Sequence, residues 1–204
     1  MRPSSCAASL LPQHLHSEIV LIDMATSEAP ELIGLAQRTL RDLRLRVAGA
    51  SGGGPDALRE AGYAGATSLF DAFETWLNDR GSNRAEDLPI DQFSSRAAEF
   101  FQAAGWGRVS FKSLHDALAV IDIEDCWESQ LHGQGETGCH LTTGTLAGFL
   151  GCLADYPVAV MEIECGTSTS SRCRFLAGNA DMLEHAYERL SRGEEWESIG
   201  AGEF

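Results

Sequence analysis

The chain has 204 residues, 44% of them hydrophobic, and 30 acidic side chains against 15 basic ones, for a formal net charge of −15. A chain of that length and apolar content buries a core of its own, which excludes a disordered polypeptide. So acidic a surface repels phosphate backbones and anionic lipid, so neither nucleic acid nor an acidic membrane face is an expected partner.

The first residues, Met1 to Pro12, carry one basic side chain and too short an apolar run for a signal peptide. Elsewhere nothing approaches the ~20 apolar residues of a membrane span. A cytoplasmic location is therefore expected, where thiols stay reduced and clustered cysteines favour metal over disulfide. The chain divides into an N-terminal segment over 1–28, a single domain over 29–192 and an acidic tail, expected to be loosely ordered, over 193–204.

In the first segment Ile19-Val-Leu-Ile-Asp23 reads as a short strand. From Pro30 to Val47 the positions Leu32, Ile33, Leu35, Ala36, Leu40, Leu43 and Leu45 predict a helix with one buried face. Gly49 to Pro55 breaks it; the glycine cluster follows a helix and lacks a P-loop lysine, so it reads as a turn. Pro55 opens a second helix running to Asp79, whose stripe Leu69, Phe70, Phe73, Trp76 and Leu77 is either core or a dimer face. A polar linker follows to Pro89. Asp91 is the expected N-cap of a third helix carrying Phe93, Ala97, Phe100 and Phe101 and ended by Gly105.

Trp106–Lys112 and Ala117–Glu124 read as paired strands, followed by a glycine-rich loop at Gly133–Gly138. A helix is predicted over Leu141–Ala154, with Gly144 and Gly148 on one face so that it can approach the sheet closely. Two apolar runs, ending at Cys165 and beginning at Cys173 across a Gly/Ser/Thr loop, predict a hairpin with a cysteine on each strand. A last amphipathic helix spans Ala180–Leu190. This order of elements gives an α+β fold, with an antiparallel sheet of about four strands packed against helices.

The most informative pattern is Cys139-x22-Glu162-x2-Cys165-x7-Cys173. Thiolates suit a filled-shell divalent ion such as Zn2+ in a tetrahedron, and a carboxylate completes the fourth corner. Four protein ligands leave no position for water or substrate, so the expected role is structural. Strand alternation would put Glu164 on the same face as Glu162. Cys126 and Cys152 read as small buried hydrophobes and Cys6 as part of a frayed tail. His115, His132, His140 and His185 are dispersed; His140, beside a ligand, is a candidate neighbour of the metal shell.

Gly138-Cys139-His-Leu-Thr-Thr-Gly144-Thr-Leu-Ala-Gly148-Phe149, then Glu162-Ile-Glu-Cys165 and Arg172-Cys173-Arg-Phe175, resemble the 4-vinyl reductase domain family over residues 95–195. The pattern is similar, too, to the phenol-sensing input domains of bacterial aromatic-responsive activators. That resemblance implies Glu162 rather than Glu164 as ligand, a structural zinc, and a homodimer with a fold like transport-protein-particle tethering subunits. It also implies a buried pocket for a small hydrophobic molecule, in which Phe149, Thr145 and Trp106 are candidate contacts; Phe149 reads equally as core. The sensors' histidine and tryptophan ligand pair has no counterpart that can be placed, and Trp127 and Trp106 match by residue type only.

Catalytic residues are not expected: nucleophile elbow, His-Glu-x-x-His motif and dinucleotide fingerprint are all missing from the sequence. The resulting expectation is a zinc-stabilised, dimeric sensor of an aromatic or otherwise hydrophobic ligand that acts through a separate output protein. Two alternatives stand beside it: a part in tetrapyrrole 4-vinyl reduction, for which a hydride-carrier site is not found, and a dimeric scaffold without ligand.

Overall fold

Gly54, at φ 75°, turns the chain into Pro55, which occupies the first position of a long helix where its missing N–H costs nothing. This helix, α2 (Pro55–Asp79), follows α1 (Gln37–Ala48) and precedes a 3-10 turn (Ala85–Asp87) and α3 (Ile90–Ala103). Then come β1 (Arg108–His115), β2 (Leu118–Glu124), α4 (His140–Ala154), β3 (Ala159–Glu164), β4 (Arg172–Gly178), α5 (Ala180–Ser191) and α6 (Trp196–Ile199). The computed structural model describes residues 33–49, 53–115, 118–129, 138–154, 156–166 and 171–199. The strand expected at Ile19–Asp23, Cys6, His132 and most of the glycine-rich loop before Gly138 lie outside them.

The four strands form one antiparallel sheet in the order β1-β2-β4-β3. β2 and β4 are central and are covered on both faces. Ile121, Ile123, Cys173, Phe175 and Ala177 point into a core shared with α2, α3 and α4. Leu118, Val120 and Leu176 point the other way, into a smaller core closed by Leu183, Ala186 and Ile199 of α5 and α6. On that second face Asp122 lies opposite Arg174, and the two form a buried two-pronged ion pair at 2.6 and 2.9 Å. The Arg174 guanidinium also stacks 4.0 Å over the Trp196 ring, which fastens α6 to the sheet.

Several expectations change on folding. The aromatic stripe of α2 is core: Leu69, Phe73, Trp76 and Leu77 are all buried within the chain, so it is not available as a dimer face. α1 starts at Gln37, not Pro30, as far as the described residues reach, and buries a single side chain, Arg44. Its apolar residues Leu35 and Leu43 stay exposed. α3 begins one residue before Asp91, with Pro89 at the cap and Asp91 in the first turn. Asn179, not singled out by pattern, caps α5 by accepting the Met182 N–H at 2.8 Å. The expected loose tail contains α6, whose Ile199 is fully buried.

Gly144 and Gly148 meet a helix rather than the sheet. A methyl group on Gly144 would overlap the Arg59 carbonyl of α2, and one on Gly148 would come within 2.5 Å of Ala66 Cβ and 2.9 Å of the Tyr63 carbonyl. Gly62 of α2 answers from the other side, since a methyl there would overlap the Leu141 carbonyl. Three glycines let the two backbones touch, and that close packing offsets roughly 1 kcal/mol per glycine of lost helix propensity. The contact sets the height of α4 above the sheet, and with it the position of Cys139 at its head.

A candidate metal centre and the cleft beside it

Three segments deliver the four donors. Cys139 sits immediately before α4, Cys165 immediately after β3 and Cys173 near the start of β4, while Glu162 lies in β3. A bulge in β3 makes the Glu-x-x-Cys spacing work. Glu162 opposes Phe175 and Glu164 opposes Arg174, so two residues of β3 advance against one of β4. In a regular strand, positions three apart point to opposite faces; the extra residue returns Cys165 to the face of Glu162. The bulge also sends Glu164 to the opposite face, where it pairs with Arg174 at 3.1 Å and Arg172 at 2.7 Å. Alternation alone would have left both carboxylates together, and this is the correction.

The donor atoms of Cys139, Glu162, Cys165 and Cys173 all lie within 4.8 Å of one another. Cys139 Sγ is 3.6 Å from Cys173 Sγ and 3.9 Å from Cys165 Sγ. Metal–sulfur bonds of about 2.3 Å in a tetrahedron give sulfur–sulfur edges of about 3.8 Å, so the thiols stand at ligand spacing. Glu162 uses one carboxylate oxygen to accept the Cys139 N–H at 2.6 Å, while its other oxygen, Oε1, is buried without a hydrogen-bond partner. An orphaned buried carboxylate oxygen is costly unless a cation meets it, so these residues fit a metal ion.

Charge in the cluster supports the same reading. Contacts with Cys126, Cys165 and Cys173, together with burial, push the Cys139 thiol far up. Cys165 rises to about 12, because the relief it gains from Cys139 is outweighed by Cys173 and burial. Burial also raises the Glu162 carboxyl, against the lowering effect of the Cys139 N–H. Cys173 goes the other way, lowered by hydrogen bonds from Cys126, Cys139 and Cys165, and it also accepts the Gly166 N–H at 3.2 Å. The donors resist gathering negative charge by themselves, and a divalent cation supplies what they lack.

Two residues unremarked in the sequence complete the surroundings. Cys126 is fully buried, and its Sγ lies 3.9 Å from that of Cys139. Glu128, also fully buried, caps α4 by accepting the Leu141 and Thr142 N–H groups at 3.2 and 2.8 Å. Arg44 of α1 pairs with Glu128 at 3.2 Å and donates to the Gly138 carbonyl at 3.1 Å. Glu128 lies twelve residues ahead of the helix it caps, beyond the reach of any local capping signal.

A cleft of about 480 Å³ opens beside the cluster, with Arg59, His140 and Thr143 on one wall and Val160, Glu162 and Cys165 on the other. His140 Nδ1 is 3.0 Å from Arg59 Nη1, so this histidine faces the cleft next to the donors. The expected ligand contacts are elsewhere. Phe149 is fully buried, with its ring 5.3, 5.5 and 5.0 Å from those of Phe70, Phe73 and Phe101. Trp106 meets Phe101 and Trp127 edge-on, each at 5.8 Å. Thr145 donates its hydroxyl to the Leu141 carbonyl at 2.9 Å, at the α2–α4 contact. Trp127 Nε1 is buried with no hydrogen-bond partner among the described residues.

Comparison with known proteins agrees with the resemblance drawn from the motif. Residues 119–179, which include all four donors, match the 4-vinyl reductase domain family. The crystal structure of the phenol-responsive sensory domain of the transcription activator PoxR with phenol aligns at a TM-score of 0.60 and 16% identity. That alignment covers 80% of this chain and 84% of the other. A vinyl-4-reductase family protein from Methanocaldococcus jannaschii aligns at a TM-score of 0.47 and 17% identity, covering 72% of this chain and 83% of that one. No curated protein matches the sequence. The α+β architecture is thus that of the PoxR sensory domain.

Proposed function

We propose that this chain is a zinc-stabilised sensory domain that binds a small, largely apolar aromatic molecule and signals through a separate partner protein. Cys139, Glu162, Cys165 and Cys173 hold the ion; four ligands close its sphere, so it stabilises the fold and leaves no open position for chemistry. The observation that carries the ligand reading is the buried indole N–H of Trp127. It has no acceptor among the described residues and stands edge-on to Trp106 inside an aromatic cluster. A donor of that kind in apolar surroundings suits a ligand that is mostly ring with a single oxygen, the composition of a phenol.

Trp106 and Phe149, linked through the ring of Phe101, are the expected walls of the ligand site, and Thr145 its flank on α4. Likeness to a domain crystallised with phenol supports this choice of ligand class. A reducing, cytoplasmic setting follows from the free thiols the site needs.

Thermal melts with phenol, methylphenols and fatty acids as separate series test the reading. A phenol that binds the folded state raises Tm with its concentration. Trp127→Phe keeps the ring but removes the donor, and should weaken phenol binding by about tenfold, the worth of one hydrogen bond, with metal content unchanged. No shift with any series would remove the sensory reading.

A further inference from the structure

The four-residue motif leaves out a fifth donor. Cys126 Sγ stands 3.9 Å from Cys139 Sγ, the same separation as that between Cys139 and Cys165. Its position is built by the backbone around it. Asp125 adopts φ 54°, a left-handed conformation that Asp tolerates better than most residues, and its N–H bonds the Ser171 carbonyl at 2.8 Å. Ser129 Oγ donates to the Cys126 carbonyl at 2.9 Å, and Trp127 N–H to the Trp106 carbonyl at 3.4 Å. The turn after β2 therefore drives Cys126 inward, and the thiol ends fully buried against the cluster.

Glu162 occupies the opposite, open side. It lines the cleft together with Cys165, and its carboxylate already serves the Cys139 N–H. The donor set thus has a hard ligand at its solvent edge and a soft one in reserve at its buried edge. Carboxylate suits a harder ion; a softer ion gains more from a fourth thiolate.

We propose that Cys126 is an alternative ligand of this centre, replacing Glu162 when the ion is softer than zinc, so that cadmium is held by Cys126, Cys139, Cys165 and Cys173. The inference rests on the metal reading above and extends it to a second coordination state. In the exchange the Cys126 thiol releases its proton to solvent and its sulfur bonds the ion. The Glu162 oxygen leaves the ion as a free carboxylate at the cleft. One anionic donor replaces another in the coordination sphere of the ion.

The test loads the full chain with cadmium alone and records its 113Cd NMR spectrum, in which four sulfur ligands resonate downfield of three sulfurs and an oxygen. The wild-type signal should fall in the four-sulfur range and move upfield in Cys126→Ala. Glu162→Gln should keep its full complement of cadmium while its zinc affinity drops by about tenfold or more, since zinc alone depends on that carboxylate. A wild-type signal in the three-sulfur range overturns the inference and leaves the zinc centre standing. The wild-type spectrum decides this even if a variant fails to fold. Failure of the wild type to bind either ion overturns the metal reading as well.

Discussion

At the scale of single residues the centre is a set of donors that gain little from one another. Thiols packed 3.6 to 3.9 Å apart, beside a carboxylate with one orphaned oxygen, form a favourable group only around a cation. Metal binding should therefore be folding energy. Cys165→Ser should abolish zinc binding, as read by elemental analysis, and lower the melting temperature as far as a strong chelator lowers that of the wild type. Cys152→Ser, at an exposed position, should change neither. Equal zinc content in wild type and Cys165→Ser would refute the assignment. Of these donors, all but Cys126 were legible from spacing. Cys126 was not, because thirteen residues separate it from Cys139, and a turn with no sequence signature returns it to the cluster.

Among secondary elements, the contact that matters most is between α2 and α4. Gly62, Gly144 and Gly148 remove the side chains that would hold those helices apart. Gly148→Ala places a methyl 2.5 Å from Ala66 Cβ, so the helices must separate. Overpacking of this kind costs about 1–3 kcal/mol, and denaturant unfolding should register it as a lowered midpoint at unchanged slope. Because α4 carries Cys139 at its head, the same variant should hold zinc more weakly. Gly65 has no neighbour near its missing Cβ, so Gly65→Ala is the control and should be neutral or stabilising. The glycines were visible in the sequence as a pair on one face. Their true neighbour was not, because periodicity names a close contact without naming the element that makes it.

For the molecule as a whole, a homodimer remains an expectation, and the surface open to it is not the one the sequence suggested. The α2 stripe is consumed by the chain's own core. α1 and the residues just before it instead leave Ile33, Leu35 and Leu43 exposed at 77%, 47% and 51%, while the docking of α1 to the domain rests on buried Arg44. An amphipathic helix with its apolar residues in water is suited to a self-complementary two-fold contact. Light scattering at micromolar concentration should give about twice the 22.0 kDa chain mass, and Leu43→Asp should halve it without changing zinc content. A wild-type monomer that persists at high concentration would remove the dimer.

The sequence by itself determined the class of fold, the order and approximate limits of the elements from α2 onward, and the four donors of the metal motif. These follow from local periodicity, from glycine and proline at element ends, and from the narrow set of side chains that bind soft cations. Tertiary structure alone decided which face each element buries. It turned the α2 stripe inward, set the glycine face of α4 against α2, and recruited Glu128 and Cys126 from a distance. It also inserted the bulge that parts Glu162 from Glu164. Each of these depends on a partner far away in the chain, and residue spacing along one segment carries no record of what will pack against it.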